Sequence, residues 1–194
     1  MAMARPRSFD DETVRSALLQ AFWTHGYDGT ALPQLEEATG LSRKSLYNAF
    51  GDKQAMFVRA LQDFRQTAVR ANTEPLRAEG ASLAAIEAVL RGLVDLAETS
   101  QGRLGCMVCN TSREDVADIP DVRQEIDAYF NALERAMRQA IETGQAKGEI
   151  AQRPPDDLAR LCLGAVVSMS VLAKAGQPVP VLRSIAEETL KALR

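Results

Sequence analysis

The stretch Phe22–Leu61 reads FWTHGYDGTALPQLEEATGLSRKSLYNAFGDKQAMFVRAL. Its apolar residues recur at helical spacing, and glycines divide it into short segments. Gly40 permits a tight reversal and Ser42 is a typical N-cap residue. The pattern therefore predicts one short helix that ends at Gly40 and a second that Ser42 caps and that runs to about Asn48. Two short helices joined in this way form a helix-turn-helix.

The second of these short helices carries side chains suited to DNA recognition. A short helix after a sharp turn can present its first residues to a major groove about 12 Å wide. Arginine and lysine reach guanine edges or phosphates, asparagine pairs with adenine, and tyrosine commonly donates to phosphate. The predicted DNA-contacting residues are Arg43, Lys44, Ser45, Tyr47 and Asn48.

The charge of the chain is acidic overall and basic only locally. Twenty-three Lys and Arg against 26 Asp and Glu give a net charge of −3, which excludes a polybasic, histone-like protein. Residues 41–53, which include Lys53, carry three basic residues and one acidic residue, and Arg5 and Arg7 precede the first acid. Such a focused patch predicts DNA binding with a steep salt dependence. An ordinary three-helix packing unit with surface charges remains the alternative at this point.

Helical spacing continues through the rest of the chain, and strand alternation is almost absent. The apolar fraction of 46% and the charged fraction of 25% are ordinary for a globular protein. The fourth helix is expected to end before Glu74–Pro75. The sequence predicts an all-α fold of about nine helices.

The quoted stretch resembles the DNA-binding domain of the TetR family of transcriptional regulators. The matching elements are Phe-x-x-x-Gly-Tyr at Phe22–Tyr27, Thr30, Ala38-x-Gly-Leu-Ser42, Ser45-Leu-Tyr47, Phe50 and Asp52–Lys53. Asn48 stands where the family often has histidine. The resemblance adds Thr30 and Lys53 to the DNA-binding residues.

The same resemblance implies a domain plan and a mode of action. A three-helix helix-turn-helix domain would occupy residues 1–54, and helix 4, at about 52–73, would link it to a ligand-binding and dimerisation domain at 55–194. The implied function is that of a homodimeric repressor that binds a palindromic double-stranded DNA operator and is released by an unknown small-molecule effector.

The helix from Leu158 to Ala175 has no wide polar face, so it must be covered on both sides. One side can pack on its own domain, and the other is expected to meet a second copy, with the last helix alongside. The alternative is a core helix enclosed by its own chain. The predicted dimer residues are Leu161, Ala165, Val166, Met169, Leu172, Leu182, Ile185 and Thr189.

The resemblance also implies a ligand pocket among the middle helices, although each of its candidate residues could also be ordinary core. Asn110 and Tyr129 would supply polar groups that orient a small ligand. The candidate residues are Leu93, Cys106, Met107, Cys109, Asn110, Tyr129, Phe130, Leu133 and Met169.

The segment Gly105–Asn110, GCMVCN, resembles a Gly-Cys-x-x-x-Asn segment in one branch of the family, some members of which sense electrophiles or oxidants. Cys106 at a helix N-terminus would have a lowered pKa and a more reactive thiol. Buried cysteines also act simply as small apolar residues. A Cys-x-x-Cys oxidoreductase is a further hypothesis, but the strand–helix–strand context that it needs is absent.

Other classes of function find little support. Four zinc ligands cannot be assembled from three cysteines and the single His25, so no metal or cofactor is expected. No catalytic triad or phosphate loop appears, and a helical adaptor would need the Arg43–Tyr47 helix buried against protein. The longest uncharged run, Leu161–Ala173, is shorter than the ~20 residues that span a bilayer. With three cysteines and no export signal, the chain is expected to be cytoplasmic, with no membrane partner.

Overall fold

The computed structural model describes residues 10–194, so Arg5 and Arg7 of the predicted basic patch lie outside the described residues. Within that range the chain forms nine α-helices and no β-strand, which confirms the predicted all-α fold. Two 3₁₀ turns lie at Gly102–Leu104 and Asp115–Asp118. The helices are α1 (Asp11–His25), α2 (Leu32–Thr39), α3 (Arg43–Phe50), α4 (Lys53–Arg77), α5 (Leu83–Ala97), α6 (Met107–Thr111), α7 (Pro120–Ala146), α8 (Pro155–Lys174) and α9 (Val179–Leu193).

The chain folds as two compact units, the first ending at Phe64 and the second beginning at Arg65. This division falls inside α4. The domain boundary expected at residue 54 stays a prediction.

The first unit is organised around buried aromatic and aliphatic side chains from α1 to α4. The rings of Phe22 and Phe57 meet edge to face with their centroids 5.2 Å apart. Leu18, Leu35 and Leu46 are at most 1% exposed around them. Burial of these large side chains supplies the main driving force that holds four short or partial helices together.

Helix α4 is longer than the sequence analysis predicts. The expectation that it ends before Glu74–Pro75 is wrong, because the helix continues to Arg77. Pro75 lies in the last turn, where its missing N–H leaves only one backbone hydrogen bond unmade. Thr73 and Leu76 are buried on either side of it and hold this turn against the rest of the second unit.

The second unit packs around α8, which contacts α5, α6, α7 and α9. Leu158, Cys162, Val166 and Met169 form the buried side of α8 and are at most 2% exposed. No helix within residues 10–194 is both long enough and apolar enough to cross a membrane.

Two glycines of the second unit give a test of this packing. A Cβ atom added to Gly102 would lie 2.0 Å from the Leu96 carbonyl oxygen, whereas one added to the exposed Gly92 inside α5 would meet nothing within 4 Å. We expect Gly102→Ala to lower the free energy of unfolding by about 1–3 kcal/mol, because backbone atoms must move. Gly92→Ala should raise it by up to about 1 kcal/mol through helix propensity. Urea unfolding followed by circular dichroism measures both, and equal stabilities would contradict the packing of the 3₁₀ turn on the end of α5.

Candidate nucleic-acid interface

The turn between α2 and α3 is built from a left-handed glycine and hydrogen bonds between residues that are close in sequence. Gly40 has φ +68° and donates its N–H to the Glu36 carbonyl oxygen at 2.9 Å. The Thr39 hydroxyl accepts the N–H of Leu41 at 3.3 Å. A residue with a Cβ atom is strained at such a φ, so the reversal depends on Gly40.

Helix α3 begins at the residue that the sequence predicts. The Ser42 hydroxyl accepts the N–H of Ser45 at 3.3 Å and so caps the helix. The helix continues to Phe50, slightly beyond the predicted end.

One side of α3 is buried and the other is exposed. Leu46 is 0% and Phe50 4% exposed, so both belong to the core of the first unit. The opposite side presents Arg43, Lys44, Tyr47 and Asn48 to solvent, with Ser45 half-buried beside them. The helix therefore has the two-sided character of a recognition helix, and the described part of the chain does not bury its outer side.

Two cations near this surface rest on aromatic rings. The Arg43 guanidinium lies 5.4 Å from the centre of the Tyr47 ring, and the Lys53 ammonium lies 4.3 Å from that of Tyr27. Cation–π contacts of this kind restrict long side chains without neutralising them. Both charges thus stay available to an anionic partner.

Thr30 differs from the other predicted DNA-binding residues. It is completely buried, and its hydroxyl donates to the Gly26 carbonyl oxygen at 2.6 Å. The Thr30 side chain thus lies inside the first unit, where its hydrogen bond to Gly26 closes the loop before α2.

A residue that the sequence analysis does not single out reaches the start of α3. Glu36 of α2 accepts the backbone N–H of Arg43 at 2.6 Å through its carboxylate. The two residues lie seven positions apart across a turn, outside the three-residue spacing of a capping box. No local sequence pattern marks this pair.

The predicted ligand-pocket residues lie in the core of the second unit. Met107, Tyr129, Leu133 and Met169 are at most 2% exposed. Leu93, Asn110 and Phe130 are half-buried. The Asn110 amide already donates to the Leu104 carbonyl oxygen at 3.0 Å, so its donor has a partner within the chain.

A separate groove of about 600 Å³ follows α4 in the second unit. Its described lining comes from α4 and includes Arg65, Arg70, Thr73 and Arg77. The Thr73 hydroxyl is buried and has no hydrogen-bond partner among the described residues. A buried hydroxyl without a partner is costly, and the structure leaves this one unsatisfied beside the groove. The sequence analysis misses it, because a lone threonine within a helix carries no signal.

The cysteine segment forms a buried hydrogen-bonded cluster. Cys106 is the N-cap residue of α6, and all three cysteines of the chain are free thiols. Burial by itself opposes ionisation of Cys106, but hydrogen bonds from Cys109, from Tyr129 and from the Val108 backbone lower its pKa to about 7. Its hydrogen bond to Cys106, together with burial, raises the pKa of Cys109.

The predicted dimer residues divide into two groups in the structure. Ala165, Val166 and Met169 of α8 are buried because α5, α7 and α9 cover that side of the helix, and Leu182 and Thr189 of α9 are buried where α9 packs on α5 and α8. These five side chains therefore pack within the chain, and their place at a dimer interface stays a prediction. Leu161 is 41% exposed, and Leu172 and Ile185 are half-buried.

Comparisons with known proteins agree with this architecture. Residues 14–60 match the family model described as bacterial regulatory proteins, tetR family. Residues 82–186, more than half of the chain, match the tetracyclin repressor-like C-terminal domain. The chain belongs to the TetR family of bacterial transcriptional regulators, whose defining element is a DNA-binding helix-turn-helix.

Individual relatives span nearly the whole chain. The HTH-type transcriptional repressor ComR of Escherichia coli (strain K12) is 27% identical over 191 residues, which covers 96% of this chain and 90% of ComR. The HTH-type transcriptional regulator YezE of Bacillus subtilis (strain 168) is 25% identical over 98% of this chain and 100% of YezE. A cysteine mutant of the TetR family regulator CifR, complexed with a 26 bp double-strand operator DNA, matches with a TM-score of 0.86 and 28% identity over 98% of this chain and 100% of that one.

Proposed function

We propose that this chain is a homodimeric repressor that binds a palindromic operator through α3 and is released by a small-molecule effector. The observation that carries the proposal is the two-sided α3, with Leu46 and Phe50 in the core and Arg43, Lys44, Tyr47 and Asn48 exposed. The relative ComR is named a transcriptional repressor, and CifR is bound to operator DNA. Both similarities extend over almost the entire chain and support the same mode of action here.

The exposed residues divide by the chemistry of their contacts. Lys44 and Lys53 carry charges that suit phosphate oxygens, which set affinity and its salt dependence. Arg43 and Asn48 can form paired hydrogen bonds with guanine and adenine edges, which set specificity. Since Arg43 stacks on Tyr47, the two side chains should approach the DNA as one unit.

Substitutions on α3 should weaken DNA binding without unfolding the protein. Lys44→Ala and Tyr47→Ala remove exposed groups, so we expect the dissociation constant for an operator to rise roughly tenfold or more for each, as is typical of lost DNA contacts. Lys44→Ala should also reduce the slope of log affinity against log salt by about 1. Duplexes selected by the purified protein from a random pool supply the probe, and fluorescence anisotropy measures binding.

The matched control is Arg135→Ala, which removes an exposed cation from α7 in the other unit. Its affinity and salt slope should equal those of the wild type. If Lys44→Ala and Tyr47→Ala behave like this control, α3 is not the reading helix.

The exposed face of α8 supports pairing with a second copy. Leu161 is 41% exposed on it, and one turn later Gly164 is exposed with nothing within 4 Å of an added Cβ. A glycine inside a helix costs about 1 kcal/mol relative to alanine, and here no contact within the chain requires it. Close approach of a partner helix would explain both the exposed leucine and the glycine inside the helix. Two copies would also place two reading helices on half-sites about one DNA turn apart.

A charge placed on this face should separate the dimer. We expect Leu161→Glu to shift the protein to monomer, because an unpaired carboxylate would be buried at the interface. Leu96→Glu is the matched control, since Leu96 of α5 is exposed to 42%, almost the same extent. Analytical ultracentrifugation measures the mass of both variants. A Leu161→Glu protein that stays dimeric would place the dimer contact elsewhere.

The effector is proposed to bind in the second unit. The groove along α4 is lined by Arg65, Arg70 and Arg77, and guanidinium groups suit a small ligand with hydrogen-bonding oxygen atoms. Arg65 is ion-paired with Glu125 and Arg70 with Glu74, so Arg77 is the arginine best placed to meet such a ligand. The pocket residues predicted from the sequence remain a second candidate place for the effector.

Thiol sensing through Cys106 is the second candidate function. The hydrogen bonds from Cys109 and Tyr129 favour the thiolate form of Cys106, and the thiolate is the reactive form. An electrophile would add to this sulfur, break the cluster and change the packing of α6 on α8.

N-ethylmaleimide tests this chemistry. The Cys106 thiolate attacks one alkene carbon of the maleimide and a proton adds to the other, so labelling should accelerate as the pH rises through about 7. Tyr129→Phe removes a donor to the thiolate, so the pKa of Cys106 should rise and labelling at pH 7 should slow severalfold. Cys162, whose pKa burial raises to about 12, is the internal control in peptide mass spectrometry. Labelling of Cys106 no faster than that of Cys162 would contradict the candidate.

A further inference from the structure

Glu36 hydrogen-bonds to both sides of the turn that precedes the reading helix. Its backbone carbonyl oxygen accepts the N–H of Gly40 at 2.9 Å, which closes α2. Its carboxylate accepts the N–H of Arg43, the first residue of α3, at 2.6 Å. One residue thus fixes where α2 ends and where α3 begins.

The other bonds at this turn act within shorter stretches. The Ser42 hydroxyl caps α3 by accepting the N–H of Ser45, and the Thr39 hydroxyl accepts the N–H of Leu41, two residues later. These contacts stabilise local conformations without connecting the two helices. The Glu36 carboxylate joins a side chain of α2 to the backbone of α3, so it fixes the first turn of α3 relative to α2.

The position of this carboxylate has an electrostatic cost that its hydrogen bond offsets. A negative charge in the last turn of α2 is unfavourable beside the helix carbonyls, and it also repels nearby DNA phosphates. At the N-terminus of α3 the same charge is favourable, and it satisfies a backbone N–H that has no partner within the helix. Charge-assisted bonds of this kind are among the stronger hydrogen bonds in proteins.

We infer that Glu36 is a positioning residue for DNA recognition. Its carboxylate holds the first turn of α3 in the orientation from which Arg43 and Tyr47 reach the DNA. This inference rests on the proposed reading role of α3. It assigns Glu36 no contact with DNA: the residue acts through the backbone of Arg43.

Four substitutions separate the hydrogen bond from the charge. Glu36→Gln keeps an acceptor oxygen and removes the charge, whereas Glu36→Ala removes both. The neighbouring Glu37 is exposed on α2, so Glu37→Gln and Glu37→Ala remove a similar charge and leave the Arg43 contact intact.

At residue 36, operator affinity is expected to depend on whether the hydrogen bond to Arg43 is kept. At residue 37, it should depend only on whether the charge is present. Glu36→Gln should bind DNA as tightly as the wild type or about two- to threefold more tightly, because a repulsive charge is gone. Glu36→Ala should bind about three- to thirtyfold more weakly than Glu36→Gln, the range typical of a lost helix-capping contact. The two Glu37 variants should match each other. Equal affinities of Glu36→Ala and Glu36→Gln would overturn the inference.

Hydrogen exchange of the Arg43 amide tests the contact without DNA. In NMR exchange measurements the amide should be protected in the wild type and in Glu36→Gln, and should exchange several times faster in Glu36→Ala. If the wild type bound no duplex, the proposed function would fail, while this exchange pattern would still support the positioning contact. Equal exchange in all three proteins would overturn that contact even if DNA binding were normal.

Discussion

The burial of Leu46 and Phe50 is the contact on which the exposed, basic side of α3 depends. Helix α3 has only eight residues, and a helix of that length is not stable alone in water. Packing of α3 against the rest of the first unit therefore stabilises the helix and also fixes its rotation about its own axis. That rotation directs Arg43 and Tyr47 outward, so the core of the unit determines which side chains can reach DNA.

Electrostatics act here at the scale of one turn of helix. The chain is acidic overall, yet the exposed side of α3 is basic, and Arg43 and Lys53 lie over the aromatic rings of Tyr47 and Tyr27. Over a Debye length of roughly 8–10 Å, local charges outweigh the distant net charge. The Glu36 carboxylate is an acidic group beside this basic surface. Its charge is favourable there because it lies at the N-terminus of α3, where the helix stabilises a negative charge.

The second unit combines a firmly packed side with surfaces left open. Helix α8 buries Cys162 and Met169 against its own neighbours and leaves Leu161 and Gly164 exposed. The Cys106 cluster and the Thr73 hydroxyl lie in this same unit, each with unusual hydrogen bonding. Under the proposed function, this unit would pair with a second copy and bind an effector, and it would control DNA binding from a distance by favouring one arrangement of the two reading helices.

The sequence by itself determined the features that arise within a few residues. Helical periodicity, the reversal at Gly40 and the cap at Ser42 depend on local sterics and hydrogen bonds, so the all-α fold and the start of α3 were predictable. Only the tertiary structure decided which side of each helix is covered. It buried Thr30, brought Glu36 to Arg43 across seven positions, and enclosed five of the predicted dimer residues. Such outcomes depend on neighbours from other helices, whose positions no local pattern encodes.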